Sequence, residues 1–236
     1  MSKLEDIKFF STPEHPCSYL DNQSAKTIFV DPEQVIDSSL YLQLSELGFR
    51  RSGSHIYRPY CDNCQSCVSI RIPTTHYKFT SSQKRIYNKN KDLIVTKVST
   101  KFSDEYYQLY EQYINIRHSD GDMYPPSQEQ FESFLVSSDQ QSSFYEFRLP
   151  SGKLIAVALV DLIENGMSAV YSFYDPTEVK RSLGTFAILW QIKENNNKAL
   201  DYLYLGYWVK NCQKMNYKIN FKPVELLING RWMLSK

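Results

Sequence analysis

Residues 169–218 read AVYSFYDPTEVKRSLGTFAILWQIKENNNKALDYLYLGYWVKNCQKMNYK. Ala169 to Tyr174 mixes aromatic and β-branched side chains, which predicts a strand. Asp175-Pro176 ends it, because proline lacks a donor and restricts the residue before it. A loop follows, then an apolar run that predicts a helix from about Leu183 to Asn195. A second strand is expected over Tyr202–Leu205, ending at Gly206-Tyr207-Trp208. Strand, loop, helix, strand is the minimal ligand-bearing unit of an α/β sheet. The loop carries Lys180, Arg181, Ser182 and Gly184 where a helix N-terminus presents free N–H groups to an electron-rich ligand.

Working outward, the chain punctuates itself clearly. Asp31-Pro32 fits a helix start, and Val35, Ile36, Leu40, Leu44 and Leu47 recur at helical spacing before Gly48, a suitable C-terminal cap. Ser81 to Asn90 predicts a short basic helix, with Lys84, Arg85, Lys89 and Lys91 in or beside it. Ser103 is set to cap a tyrosine-rich helix over Asp104–Arg117. Ser127 and Gln130 form a capping-box pattern for a helix reaching about Val136. Strands are expected at Val68–Ile72, Leu93–Val98, Phe144–Leu149, Leu154–Leu162 and Met167–Tyr174. Asn229-Gly230 reads as a last turn before Trp232.

Bulk composition bounds the function. A chain of 236 residues with formal net charge +1 carries no strongly basic global field, so any RNA contact must come from a local basic face. The 18 tyrosines are mostly expected on half-buried strand surfaces, with a few free to stack on unpaired bases. MSKLEDIKFF carries acids and no long apolar core, unlike a secretory signal, and Leu154–Val160 is too short to span a membrane. A cytoplasmic location follows as the expectation. Five cysteines, four of them in the first 67 residues, favour metal or thiol chemistry over disulfides there.

Cys61, Cys64 and Cys67 form C-x2-C-x2-C, a spacing that lets thiolates converge on one soft metal, with Cys17 as a fourth ligand and His15 and His55 as alternates. Zinc and an iron–sulfur cluster both suit such a set; a reduced thiol cluster without metal is the other reading.

The ordered motifs GFRRSG, YRP, C-x2-C-x2-C and SIR, followed by SFYDP, SLG, YLYLGYW and C-x-K-M-x-YK, resemble the aminoacyl-tRNA–protein transferase family. The resemblance covers nearly the whole chain and is nearest the bacterial aspartate/glutamate leucyltransferase branch. Single pieces are weak; the ordered set is specific. One departure is that the family carries a further cysteine close to the Cys17 position, where this chain continues Ser18-Tyr19-Leu20.

The resemblance implies an α/β (α+β) fold. Residues 1–100 would form a small cysteine-containing N-terminal domain. Residues 101–236 would form a domain of the N-acetyltransferase (GNAT) type with a mixed sheet. It implies transfer of leucine from leucyl-tRNA to the α-amine of proteins beginning with Asp or Glu, a degradation signal of the N-end rule pathway. No cofactor is required for that chemistry, because the aminoacyl ester is already activated. An arginyltransferase of the same family, a non-catalytic metal-dependent tRNA-binding module and a CoA-dependent acetyltransferase are the alternatives. The last is disfavoured because Arg181-Ser182-Leu183-Gly184 holds one glycine where a pyrophosphate cradle usually has several.

Site expectations follow. Tyr171, Tyr174 and Tyr204 offer hydroxyls to a developing oxyanion, and Asp175 could take the ammonium proton or cap its turn. Arg50, Arg51, Arg71 and Lys84 are candidates for holding the acidic side chain of the acceptor, since an arginine fork matches a carboxylate. Ser52, Ser182, Leu183, Gly184, Gly206, Tyr207 and Trp208 are expected around the substrates. Lys214 and Lys218 would meet RNA phosphates or water, and Cys212 reads as structural.

Overall fold

A computed structural model describes residues 4–136 and 141–235; Met1, Ser2 and Lys3 of the N-terminal segment lie outside them. The elements run β1 (Phe9–Ser11), β2 (His15–Pro16), β3 (Ser24–Ala25), β4 (Thr27–Val30), α1 (Ser38–Glu46), β5 (Arg50–Ser52), β6 (His55–Pro59), β7 (Val68–Pro73), α2 (Ser81–Lys89) and β8 (Ile94–Val98). There follow α3 (Asp104–Arg117), α4 (Gln128–Leu135), β9 (Ser142–Arg148), β10 (Leu154–Ile163), β11 (Gly166–Tyr174), α5 (Leu183–Asn197), β12 (Tyr202–Trp208), α6 (Gln213–Asn216), β13 (Val224–Ile228) and β14 (Arg231–Ser235).

The centre is an eight-stranded sheet in the order β14-β13-β7-β12-β11-β10-β9-β8. The β11–β12 pair is parallel and the other neighbours are antiparallel, so the sheet is mixed and the fold is α/β. Strand β7 lies inside the sheet and β8 at its edge, so residue 100 does not separate two sheets. The expected N-terminal region instead contributes its own four-stranded sheet, β1-β4-β6-β5, plus these two strands.

Strand β10 shows why the sheet is central. Its apolar run alternates between faces: Ile155, Ala156 and Ala158 join one buried cluster with Phe186, Ala187 and Leu189 of α5, while Val157 and Leu159 join another with Tyr110, Ile114, Phe131 and Leu135 of α3 and α4. A strand covered on both faces reads as continuous hydrophobic sequence. Each fully buried Leu or Phe there stabilises by about 1.5–3 kcal/mol relative to an exposed one. A third cluster joins Leu40, Tyr41 and Leu44 of α1 to Ile163 and Tyr204, docking the N-terminal elements on the sheet.

Helix boundaries follow their caps. Ser103 and Ser127 accept from Tyr106 N and Gln130 N, as expected, and Thr80 with Gln83 closes a full capping box on α2. The α1 start corrects the sequence reading. Asp37, not Asp31, is the cap, accepting from Leu40 N at 2.8 Å, while Asp31 closes a turn with Gln34 N. Val35 is therefore outside the helix and exposed. At the other end Gly48, at φ +85°, donates to Ser45 O and Phe49 donates to Leu44 O, the paired bonds of a Schellman ending.

The parallel pairing begins where Gly166 opposes Tyr202. A Cβ on Gly166 would collide with the Tyr202 carbonyl oxygen, which is backbone and cannot swing away. Gly166→Ala is expected to cost about 3 kcal/mol, the upper end of ordinary overpacking, read as a lower midpoint in urea with an unchanged slope. A loss below about 0.5 kcal/mol, the usual range for surface changes, would contradict this close approach.

Candidate active site

β11 and β12 pair in parallel over Gly166↔Tyr202, Met167↔Leu203 and Ser168↔Tyr204 and then part. Beyond that point β12 carries a bulge between Tyr204 and Gly206 on its β7 side and continues to Trp208, longer than the sequence suggests. Gly206 takes φ +82°, a conformation that favours glycine. Two strands that separate leave backbone carbonyls without ladder partners, and those groups need other donors when buried. Arg50 supplies one: its Nη2 donates to Ala169 O at 3.0 Å and to Tyr204 O at 3.5 Å, one carbonyl on each strand. Lys218 supplies another, its Nζ donating to Tyr207 O at 2.8 Å.

Helix α5 starts at the open end of this gap. Ser182 sits at φ 52° before it and makes no side-chain cap bond, while Leu183 is buried. A Cβ on Gly184 would stand 3.1 Å from Tyr174 Cε1 and 3.5 Å from its hydroxyl, so the Tyr174 ring lies directly over the first turn of the helix. The Tyr113 ring packs 4.8 Å from Tyr174 and 4.9 Å from His118. Tyr217 comes to the same place, its pKa raised by burial and then by the neighbouring Tyr174 hydroxyl. The pKa of Tyr171 is also raised, chiefly by burial and then by Tyr110 and Tyr174. Tyr113 and Tyr217 do not stand out in the sequence because no local pattern distinguishes them from the other aromatic positions.

On the β7 side of β12 lies a cleft of about 330 Å³ lined by Cys17, Tyr19, Cys61, Cys64, Cys67 and Tyr207, among others. The four cysteines singled out in the sequence therefore do face one space. Among the described residues, however, no group of three or more His, Cys, Asp or Glu side chains is arranged to hold a metal ion. Cys17 Sγ accepts from Tyr19 N, Cys61 Sγ contacts Lys26 N and O, and Cys64 Sγ contacts Ser66 Oγ. Burial and then the sulfurs of Cys17, Cys61, Cys64 and Cys212 push the Cys67 thiol up to about 12. Burial thus favours the protonated Cys67 thiol, and the arrangement does not fit a closed tetrahedral site.

The remaining expected residues divide sharply. Arg51 is buried and engaged: its Nε and Nη2 reach Asp161 at 2.7 and 2.6 Å and its Nη1 reaches Gly53 O. Arg71 is paired with Glu46 and Glu225 and stacks over Tyr202 and Trp232 at 3.6 and 4.2 Å. Both carry carboxylates already, which leaves them poor receptors for another. Lys84 is exposed on α2, and Ser52 ends β5 at its hairpin. The Tyr204 hydroxyl is held by Glu46, Arg71 and Asn165, and the Tyr207 hydroxyl donates to Gly48 O. These two side chains turn toward the N-terminal elements, away from the loop before α5. Trp208 Nε1 donates to Asn216 Oδ1.

Asp175 accepts from Lys153 Nζ, Thr177 N and Thr177 Oγ1; burial raises its pKa, but these donors outweigh burial and hold it below the usual carboxylate range. That is a turn cap, with little capacity left for a substrate proton. Lys214 is half-exposed and pairs with Asp120. Lys218 corrects its expectation, being buried and away from water.

The family model described as "Arginine-tRNA-protein transferase, N terminus" matches residues 15–85, and that described as "Arginine-tRNA-protein transferase, C terminus" matches residues 105–228. The chain belongs to the arginine-tRNA-protein transferase family. Both family segments meet at the gap: Arg50 comes from the first, Ala169, Tyr204 and Lys218 from the second. Two curated members from Pseudomonas fluorescens, strains Pf0-1 and Pf-5, both named "Aspartate/glutamate leucyltransferase", are each 55% identical over 234 residues, 99% of this chain and 99% of theirs. A solved structure of L-PGS from Bacillus licheniformis aligns with TM-score 0.47 and 11% identity, covering 72% of this chain and 51% of that one. No described helix is long and apolar enough to cross a membrane.

Proposed function

We propose that this chain transfers leucine from leucyl-tRNA to the α-amino group of proteins that begin with Asp or Glu. The observation that carries the reading is the 55% identity, end to end, with proteins named for that activity. The geometry supports it. β11 and β12 form a parallel strand pair that parts beside the N-terminus of α5, which would let an acyl donor and an amine meet in one gap, as the N-acetyltransferase-type reading expects.

Attack by the neutral α-amine forms the C–N bond. The ester C–O bond then breaks, and the proton shed by the amine ends on the ribose hydroxyl of the departing tRNA. An α-amine of pKa about 7.7–8.0 is partly neutral near pH 7. Holding it in line with the ester supplies several kcal/mol, up to about 7–11. In this reading the Tyr174 hydroxyl, packed over Gly184, and the free N–H groups of the first turn of α5 donate to the oxyanion. No cofactor is needed for aminolysis of an activated ester. The tRNA end approaches along the exposed basic face of α2, where Lys84 and Arg85 lie and where Lys89 Nζ binds Lys180 O just before α5. The product is a leucine-extended N-terminus, a cytoplasmic degradation signal of the N-end rule type.

The test supplies charged leucyl-tRNA or arginyl-tRNA with peptides beginning in Asp, Glu, Lys or Ala. Leucine is expected on Asp and Glu peptides alone. Arginine transfer would overturn the donor assignment; transfer to Lys or Ala peptides would overturn the acceptor assignment.

A further inference from the structure

Arg50, Arg51, Arg71 and Lys218 are the buried basic side chains among the described residues. Arg51 and Arg71 each lie against carboxylates. Arg50 and Lys218 have none within the described residues. Arg50 is 8% exposed and Lys218 8% exposed, so both cations are largely out of water. Burying a charge without a counter-charge is costly, and carbonyl contacts return part of that cost. The two also repel each other: burial and then the Arg50 guanidinium hold the Lys218 ammonium down at about 7. Such a pair is a stored demand for one negative charge.

The demand has a place to be met. Arg50 spends Nη2 on carbonyls, while its Nε and Nη1 make no hydrogen bond among the described residues. Gly206 passes beside the guanidinium, where a Cβ would stand 3.5 Å from Arg50 Nε. Tyr207, whose carbonyl takes Lys218 Nζ, also lines the cysteine-rich cleft, as does Cys67, which lies close enough to act on the Lys218 charge. Tyr207 and Cys67 thus stand between the cleft and Lys218.

We propose that Arg50 and Lys218 together receive the side-chain carboxylate of the acceptor's N-terminal Asp or Glu, which enters through the cleft lined by Tyr19, Cys67 and Tyr207. This rests on the transferase reading above and names the part of the site that makes it acid-selective. A carboxylate suits the pair better than a tRNA phosphate. The cations are nine-tenths buried at the end of a small cleft, whereas backbone phosphates are best met by exposed basic groups such as those on α2. A neutral Asn or Gln at the same place would leave the Arg50 guanidinium unpaired and give Lys218 no charge to hold its proton against burial, and selectivity would follow from that difference.

Binding of peptides identical except for Asp or Asn at the first position is measured on the full-length protein without tRNA, for wild type, Lys218→Met, Lys218→Arg and Arg50→Met. Wild type is expected to prefer the Asp peptide by at least about 10-fold, the value of a charge-assisted hydrogen bond. Lys218→Met should bring that ratio close to unity and Lys218→Arg should keep most of it. Because Lys218→Met removes a buried amine whose charged form burial disfavours, its Tm is expected to stay level or rise, which a purely structural lysine would not allow. In transfer assays the Lys218→Met loss should appear in KM for Asp and Glu peptides, with KM for leucyl-tRNA unchanged. Equal loss for Asp and Asn peptides, or a raised leucyl-tRNA KM alone, would overturn the proposal. Acid-selective binding that Lys218→Met abolishes in a protein that transfers no leucine would uphold this receptor and sink the transferase reading instead.

Discussion

Arg51→Met is expected to destabilise the protein by about 3–5 kcal/mol, the range for breaking a buried ion pair from one side. Asp161 is 0% exposed and lies near the end of β10. Its two oxygens take Arg51 Nε and Nη2, Tyr41 OH at 2.6 Å and Ser142 Oγ at 2.7 Å. Four elements, β5, α1, β9 and β10, therefore hang on one carboxylate. Removing Arg51 leaves two neutral donors to support a charge that has no route to water. Replacing both partners, as Arg51→Met with Asp161→Leu, removes the uncompensated charge and should recover a large part of the loss. Urea unfolding of the two variants measures the effect. A single-variant loss under about 1 kcal/mol, the worth of an exposed pair, or a double variant weaker than the single, would show that the N-terminal elements are fastened to the sheet by something else. The specific activity of whatever fraction remains folded should change little, since neither residue faces the gap.

Tyr174→Phe is expected to lower kcat for leucyl transfer by about 100-fold, the scale for losing one oxyanion donor, with both KM values within a few-fold of wild type. The ring would stay, so its packing on Tyr113 at 4.8 Å and over Gly184 is retained, and stability should hold. Tyr204→Phe is the contrasting variant. Its hydroxyl donates to Glu46. Losing that bond should cost about 1 kcal/mol of stability and leave kcat close to wild type. If Tyr204→Phe cut kcat and Tyr174→Phe did not, the oxyanion site would lie on β12 and not beside the first turn of α5.

The strand, loop, helix, strand unit over 169–218 is legible because its signals are local: β-branched and aromatic strands, a proline stop and an apolar helix. The helix starts at Ser103 and Ser127 are legible for the same reason, since a cap and its receiver lie three residues apart. Strands β5 and β6 are not. Arg50 and Arg51 are both buried, and charges at inward positions erase the alternation by which a strand is recognised. What makes them tolerable lies far off: Asp161 for Arg51, and carbonyls of β11 and β12 for Arg50. Lys218 reads as a surface lysine because nothing nearby in sequence reports the gap that buries it. Asp31-Pro32 misleads because a proline turn and a helix start share the same residues; the choice falls to Asp37, which precedes the first residue whose neighbours pack. The cysteine spacing brings the four thiols to a single cleft, where no metal-holding group stands among the described residues.

If one gap seats both substrates, the amine attacks the aminoacyl ester directly, with no leucyl-enzyme on the way. The most direct test is a single-turnover experiment in which the protein is mixed with labelled leucyl-tRNA and quenched before and after an Asp-starting peptide is added. The predicted result is intact leucyl-tRNA and no label on the protein before addition, then label passing to the peptide in one phase, unchanged in Cys212→Ala. Stoichiometric discharge of the tRNA onto the protein before the peptide arrives, abolished by Cys212→Ala, would contradict it.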